Sequence, residues 1–341
     1  MKRKSKYSVC VVGAGAVGIE MLRVLWQRRF PIENLKVFAR SSRDIDVDGR
    51  KVSVEVVGAD GFAGVDIALF AGTEGEKGAA VTFAPEAVKR GAVVIDNGAD
   101  FRMDPKVPLV VPEVNPGDIK KHQGIIANPN CSTIQLVVAL WPIYKKAGIK
   151  RIIVTTLQAA SGAGRGALEQ LKDETSQIVS GGFADLNLKH QKKALSQQLA
   201  FNVFPQIGGF AEGGYTSEEW KLVRETHKIL HDDKIKISAT TVRVPVRTGH
   251  SESVYIETGK PLDPQQAREI LSKSAGIVVV DDPKNNLYPM PKDSEGRDET
   301  FVGRIRRDHF EKKGLWLWVV ADNLRKGAAT NAIQIAEELI K

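Results

Sequence analysis

The chain predicts an α/β protein of two domains, and three observations carry that reading. Its 341 residues exceed the size at which a single hydrophobic core usually stops growing. Over the first third, strand-like and helix-like segments alternate, which is the pattern of a parallel sheet wound on both faces. From Ile149 the pattern changes to alternating β sequence with few crossover helices, so the second domain is expected to be α+β with a largely antiparallel sheet.

The first unit of the series is the most specific. An apolar strand, Val9-Cys10-Val11-Val12, runs into Gly13-Ala14-Gly15-Ala16-Val17-Gly18 and then into a helical segment over residues 19–25. The glycines stand where a dinucleotide-binding turn of Rossmann-like type needs them: for the tight turn, for the approach of backbone to pyrophosphate, and for close packing of helix on strand. A second strand, residues 35–39, ends in Arg40-Ser41-Ser42-Arg43. An NAD-preferring protein usually offers a carboxylate to the ribose 2′-hydroxyl at this point, and none occurs before Asp44. Guanidinium and hydroxyl groups suit a 2′-phosphate, which favours NADP; the alternative is a solvated polar turn.

Further βα units follow at residues 67–71, before the small-residue turn Gly72-Thr73-Glu74-Gly75, and at 84–90 and 93–96. The chain then becomes rich in proline, with Pro105, Pro108, Pro112, Pro116 and Pro129, and reads as an ordered loop region carrying functional groups. That region leads to Asn128-Pro129-Asn130-Cys131-Ser132-Thr133, where a loop gives way to an apolar helical run. A thiol at a helix N-terminus faces unpaired N–H groups and the positive end of the macrodipole, both of which favour the thiolate. A small buried core residue is the alternative reading of such a cysteine.

In the second domain, residues 152–157 read as a strand ending in Gln158-Ala159-Ala160-Ser161-Gly162-Ala163-Gly164, ahead of an amphipathic helix beginning near Ala167. Strands at 235–246 and 251–257 are expected to bracket a turn at Arg247-Thr248-Gly249-His250. The last segment places Leu324, Ala328, Ala332, Ile335, Ala336 and Leu339 along one helical face, expected to pack on the first domain. Of the six histidines, His250 is the best placed partner for Cys131; His122, His190, His227, His231 and His309 fall in polar stretches. A Cys–His pair on a nicotinamide-binding chain implies a thioester formed during aldehyde oxidation or acyl reduction.

Composition sets the outer limits. The chain is 42% hydrophobic and 26% charged, ordinary for a folded soluble protein. Its net charge of +8 is scattered without a basic stripe, so small anionic ligands are a more economical reading than nucleic acid. No apolar run approaches a membrane span, and two cysteines, one of them inside a strand, suit a reducing cytoplasm.

The glycine turn, Asn128 to Thr133, Gln158 to Gly164, Phe201-Asn202-Val203-Phe204-Pro205-Gln206, Glu218-Glu219-Trp220-Lys221, Arg243-Val244-Pro245-Val246 and Gly249-His250-Ser251-Glu252-Ser253 together resemble the aspartate-semialdehyde dehydrogenase family. They occur in the family's order and cover nearly the whole chain. The resemblance implies reversible, NADP-linked conversion of L-aspartyl 4-phosphate to L-aspartate 4-semialdehyde and phosphate. It implies Cys131 as nucleophile, His250 as general acid/base, and Gln158 as the group that orients the thioacyl intermediate. Arg243 would hold the α-carboxylate, Glu218 the α-ammonium, and Arg102 and Lys221 the departing phosphate, with Asn130 in the same pocket. Ser161, Gly162 and Asn323 join the glycine turn and Arg40, Ser41 and Ser42 as cofactor contacts. The expected division is a nucleotide domain at 1–130, completed by a C-terminal helix at 323–341, and a catalytic and dimerisation domain at 131–322. A homodimer, or a dimer of dimers, is implied, with no metal. Related acyl-phosphate or acyl-CoA reductases, of the N-acetyl-γ-glutamyl-phosphate or malonyl-CoA type, use the same thiol logic, and a non-catalytic relative could keep the same fold. Two departures stand out: the turn lacks the threonine usual in the family, and Asp100 puts a carboxylate near the expected phosphate site.

Overall fold

The computed structural model describes residues 3–72, 78–181 and 194–341; the turn at Thr73-Glu74-Gly75 and His190 lie outside them. The chain divides into two compact units.

The first unit takes in Met1–Ile134, Glu225–His231 and Leu324–Lys341. Its elements are β1 (Tyr7–Val12), α1 (Ala16–Gln27), β2 (Ile32–Ala39), β3 (Arg43–Val47), β4 (Arg50–Val56), β5 (Ile67–Phe70), α2 (Ala79–Lys89), β6 (Val93–Asp96) and β7 (Ile125–Ala127). They form one sheet in the order β3-β4-β2-β1-β5-β6-β7. All pairings are parallel except β3 against β4. Because β1 is buried on both faces its residues sort by parity. Val9 and Val11 join Met21, Leu25, Ile333 and Ala336, whereas Cys10 and Val12 join Phe62, Phe70, Ala80 and Ala84. α1 and the C-terminal helix Thr330–Ile340 thus cover one face and α2 the other. The strand order reverses beside β1, and the glycine turn sits at the carboxyl end of that strand, where open α/β sheets bind ligands.

Two elements depart from the sequence reading. The charged run Arg43-Asp44-Ile45-Asp46-Val47 is an edge strand of a hairpin, its charges turned to solvent. The proline-rich stretch contains a 3-10 turn at Pro116–Lys121 and the strand β7 in addition to loop.

The second unit takes in Gln135–Arg224 and Asp232–Asn323. It contains most of α3 (Cys131–Ala147), then β8 (Ile149–Gln158), α4 (Arg165–Gly181), the first part of α5 (Ser217–Leu230), β9 (Lys236–Arg243), β10 (His250–Thr258), α6 (Pro264–Ser272), β11 (Ile277–Val279), β12 (Thr300–Arg307) and β13 (Gly314–Ala321). The sheet order is β11-β12-β13-β10-β8-β9. The three central pairings are antiparallel and the two edge pairings parallel. The segment before His250 is therefore not a hairpin turn. β9 lies parallel to β8 and β10 takes the other side of β8, so residues 244–249 form a crossover and His250 opens a strand.

Candidate active site

The glycine turn has the shape its composition demands. Gly13 adopts φ +108°, and a Cβ on Gly18 would lie 1.7 Å from the Gly13 carbonyl oxygen, so α1 approaches the end of β1 through two positions that exclude side chains. Gly15 precedes α1 in an extended conformation, and neither a side-chain cap nor an acidic residue occupies the first helical turn. Those residues fit a bound pyrophosphate, which needs the helix N–H groups left to it. Arg40, Ser41 and Ser42 are all exposed just beyond β2, and Arg43 reaches back 3.4 Å to the Ser41 hydroxyl.

Cys131 is the first residue of α3. The Asn130 carbonyl accepts the Ile134 N–H at 2.9 Å, and the thiol lies 3.6 Å from Asn130 Oδ1. The two thiols contrast sharply, though neither is in a disulfide. Cys131 is half-buried, whereas Cys10 is sealed in the sheet, where burial pushes its thiol up to about 12. The loop before Cys131 is held by polar contacts. Asn128 donates its backbone N–H to Asp96 and accepts from the amide of Asn331 at 2.7 Å. Arg102 is buried, not solvated: it donates to Asn128 O at 3.0 Å, to Asn97 O at 2.9 Å and to Glu225 Oε1 at 3.1 Å. Asp100, by contrast, is exposed. Glu225 was not anticipated in the sequence reading, although it lies seven residues beyond Glu218 on the same face of α5, which is a readable signal.

In the second unit, Gln158 and Arg243 end adjacent strands and face each other in register. Gln158 donates to Glu218 Oε1 at 3.2 Å, and Lys221 Nζ lies 3.5 Å from the other oxygen of that carboxylate. A capping box fixes the start of α5. Glu219 accepts the Thr216 N–H at 2.7 Å, the Thr216 hydroxyl accepts the Glu219 N–H at 3.3 Å, and Glu219 also accepts the Thr241 N–H of β9 at 2.9 Å. Helix and strand are thereby tied together, which sets Glu218 relative to Arg243.

His250 is fully buried. Its Nδ1 accepts the Ala159 N–H at 3.1 Å, so the neutral ring carries its proton on Nε2, an atom without a hydrogen-bond partner among the described residues. Burial, and then the charge of Arg243, push the imidazole down to about 3, so the ring is neutral at physiological pH. A Cβ at Gly162 would sit 3.1 Å from Cε1 and Nε2, so glycine keeps the approach to the ring open. Asn323 Oδ1 accepts from Ser161 Oγ at 3.0 Å and from the Gly249 N–H at 2.9 Å, joining the end of β8 to the start of β10. Of the other described histidines, His231 pairs with Asp118 in the first unit, and His309 is exposed. Among the described residues no group of His, Cys, Asp or Glu is arranged to hold a metal ion, and no helix is long and apolar enough to cross a membrane.

Comparison with known proteins decides the family. Residues 8–122 match the semialdehyde dehydrogenase NAD binding domain and residues 140–326 the semialdehyde dehydrogenase dimerisation domain. The chain is 53% identical to aspartate-semialdehyde dehydrogenase of Aquifex aeolicus (strain VF5), with 98% of each chain covered. The chain belongs to the aspartate-semialdehyde dehydrogenase family. The Bacillus subtilis (strain 168) member is 47% identical over 98% of this chain and 97% of its own. A crystal structure of aspartate semialdehyde dehydrogenase II from Vibrio cholerae, complexed with ASA, superposes with a TM-score of 0.92 at 44% identity over 99% of each chain. As a member of the aspartate-semialdehyde dehydrogenases the protein is a nicotinamide-dependent oxidoreductase with a dimerisation domain, built on the two-sheet architecture described above.

Proposed function

We propose that this enzyme catalyses the reversible reductive dephosphorylation of L-aspartyl 4-phosphate to L-aspartate 4-semialdehyde and phosphate, on the route to lysine, threonine and methionine, through a thioester on Cys131. The observation that carries the reading lies in the second unit. A buried cation, Arg243, and a buried anion, Glu218, flank the amide of Gln158, an arrangement suited to the α-carboxylate and α-ammonium of an amino acid. The deposition of two opposite charges around one amide has little use for an acyl group lacking an amino-acid end.

In the reducing direction, the Cys131 sulfur adds to the acyl carbon, the carbon–oxygen bond to phosphate breaks, and Arg102 and Lys221 neutralise the leaving phosphate, with Asn130 lining the same pocket. Gln158 orients the thioacyl group. The nicotinamide, when bound, supplies the hydride that reduces the thioester. His250 Nε2–H hydrogen-bonds the oxygen as negative charge develops there, and collapse of that oxyanion breaks the carbon–sulfur bond, releasing the aldehyde and leaving Cys131 as the thiolate. The inferred tautomer supports hydrogen-bond donation from Nε2 to that oxygen in the resting protein.

Nicotinamide binding is assigned to residues 1–130 with the C-terminal helix 323–341, and substrate chemistry and dimerisation to 131–322; a dimer of dimers is the larger assembly. Gly13, Ala14, Gly15, Ala16, Val17 and Gly18 would cradle the pyrophosphate, with Ser161, Gly162 and Asn323 as further contacts. NADP is preferred over NAD, a reading supported by exposed Arg40, Ser41 and Ser42 with no carboxylate before Asp44. Chemistry through a thiol outside any disulfide supports a reducing, cytoplasmic setting.

The deciding experiment is phosphate-dependent formation of NADPH from NADP and L-aspartate semialdehyde, with NAD in parallel. Wild-type protein should turn over with phosphate and prefer NADP, and Cys131→Ala should fall to background. Wild-type protein that binds nucleotide yet turns over nothing overturns the substrate.

A further inference from the structure

We propose that the buried Glu225–Arg102 pair is a brace that fixes the Asn128-Pro129-Asn130 loop and so sets the attacking position of Cys131, which makes Glu225 a positioning residue for the nucleophile. The inference rests on the reading of Cys131 as the nucleophile given above. All the groups involved lie in the first unit.

The loop has few ways to hold itself. Pro129 has no N–H, and the Asn130 carbonyl is committed to the first turn of α3. The Asn130 N–H, buried one residue before the thiol, is met by Glu225 Oε2 at 2.7 Å across 95 residues of sequence. The other carboxylate oxygen holds Arg102 at 3.1 Å, and Arg102 in turn grips the Asn128 carbonyl at 3.0 Å and the Asn97 carbonyl at 2.9 Å. Carboxylate and guanidinium therefore seize the loop at both of its asparagines. One helical turn further along α5, Lys228 donates to the carbonyls of Arg102, Asp104 and Val107 at 2.7, 2.8 and 2.8 Å, pinning the segment from which Arg102 projects. Glu225 and Lys228 thus fasten one segment from one helix face.

Charge explains the choice of an ion pair. A lone carboxylate this close to the thiol would oppose the thiolate, since like charges disfavour each other's ionised form. Arg102 cancels that charge while the carboxylate keeps two acceptors in fixed directions. A neutral amide would still accept the Asn130 N–H but would leave the guanidinium without its counter-charge.

The test is the rate at which iodoacetamide alkylates Cys131, followed by mass spectrometry between pH 5 and 9, alongside kcat and the KM for NADP. Cys10, buried in the sheet, does not compete. Glu225→Ala should slow alkylation and kcat by about tenfold or more and leave the KM for NADP within about twofold. Glu225→Gln should recover part of the alkylation rate, because its amide oxygen replaces the acceptor for the Asn130 N–H while Arg102 stays without its counter-charge. Arg102→Met combined with Glu225→Leu, which fills the pair's volume with apolar groups, should alkylate as slowly as Glu225→Ala. A residue with a merely structural role would lower the unfolding temperature and leave alkylation of the folded protein unchanged. A folded Glu225→Ala or double variant that alkylates at the wild-type rate, or a Glu225→Gln no faster than Glu225→Ala, overturns the proposal. Alkylation needs no substrate, so the brace is judged separately from the substrate reading, which fails only if wild-type protein leaves aspartate semialdehyde unconverted.

Discussion

Three buried cations of the first unit are met by carboxylates: Arg102 by Glu225, Arg325 by Glu20, and the fully buried Lys326 by Glu113. At the start of β10 in the second unit, buried titratable groups are instead held neutral. His250 is pushed down by burial and by Arg243, and Glu252, two residues on, is pushed well above the carboxylate range by burial, partly offset by the amide of Gln135. The pairs tie distant segments together, with each charge met where it lies. The neutral ring of His250 leaves its Nε2 without a hydrogen-bond partner among the described residues. An unspent buried donor costs stability and is tolerated where a ligand will use it. On the proposed function, the paired charges of the first unit would hold Cys131 still and the neutral His250 would keep a hydrogen bond in reserve for the substrate.

The largest effect should come from spending that reserve. His250→Asn keeps an acceptor for the Ala159 N–H and removes the Nε2–H. It should lower kcat about 10²- to 10⁴-fold with little change in nucleotide binding, as the removal of an acid/base group does. A loss below about tenfold would mean that Nε2 is idle and that the contrast between the regions is one of packing alone. Next in size is Gly162→Ala. The added methyl would press on the ring at 3.1 Å and should reduce kcat about tenfold through displacement of a few tenths of an ångström, with the unfolding temperature nearly unchanged.

The neutral groups also predict opposite pH dependences. His250 is protonated in the unfolded chain below its ordinary value of 6.5 and resists protonation in the fold down to about 3, so its contribution is intact above pH 6.5 and is lost on acidification through that window. Glu252 ionises in the unfolded chain above its ordinary value of 4.5 and stays protonated in the fold, so its contribution is intact below pH 4.5 and declines as the pH rises. Each slope is limited to about 1.4 kcal/mol per pH unit. Denaturant titrations from pH 3.5 to 8.5 should show His250→Asn flattening the acid limb and Glu252→Gln raising stability at pH 8. A Glu252→Gln protein less stable than wild type at pH 8 would mean that Glu252 is ionised and belongs with the paired charges.

Legibility in the sequence followed the range of the interactions. The strand, glycine turn and α1 are set by contacts within about thirty residues, and their composition announces them. The start of α3 is equally local, since Pro129 and the apolar run after Cys131 leave few alternatives. The β3–β4 hairpin does alternate, with Ile45, Val47, Val52 and Val54 turned to the core, but the charges between them make so short an edge strand look like solvated loop. The pairing of β9 with β8 was missed because a parallel register over dozens of residues leaves no mark in the turn that follows. Glu225 was the costliest omission. On an amphipathic helix it looks like one more surface acid, and only the fold brings it to an arginine 123 residues away.

The smallest expected effect lies at the surface, and it tests how far the contrast between buried and exposed charge extends. Arg40 follows β2 in the open, so any interaction with a 2′-phosphate is made in high dielectric and is screened by salt, unlike the pairs inside the first unit. Arg40→Ala should therefore shift the ratio of kcat/KM for NADP over NAD by only about tenfold, roughly 1.4 kcal/mol, almost wholly through the KM for NADP. Raising the ionic strength to about 0.5 M should shrink the wild-type preference in the same direction, while leaving the alkylation rate of Cys131 unchanged, because the charges that brace its loop are buried and screened far less. A preference that survives both the substitution and the salt would place the discrimination in the hydroxyls of Ser41 and Ser42, since geometric hydrogen bonding is indifferent to ionic strength where a point charge is not.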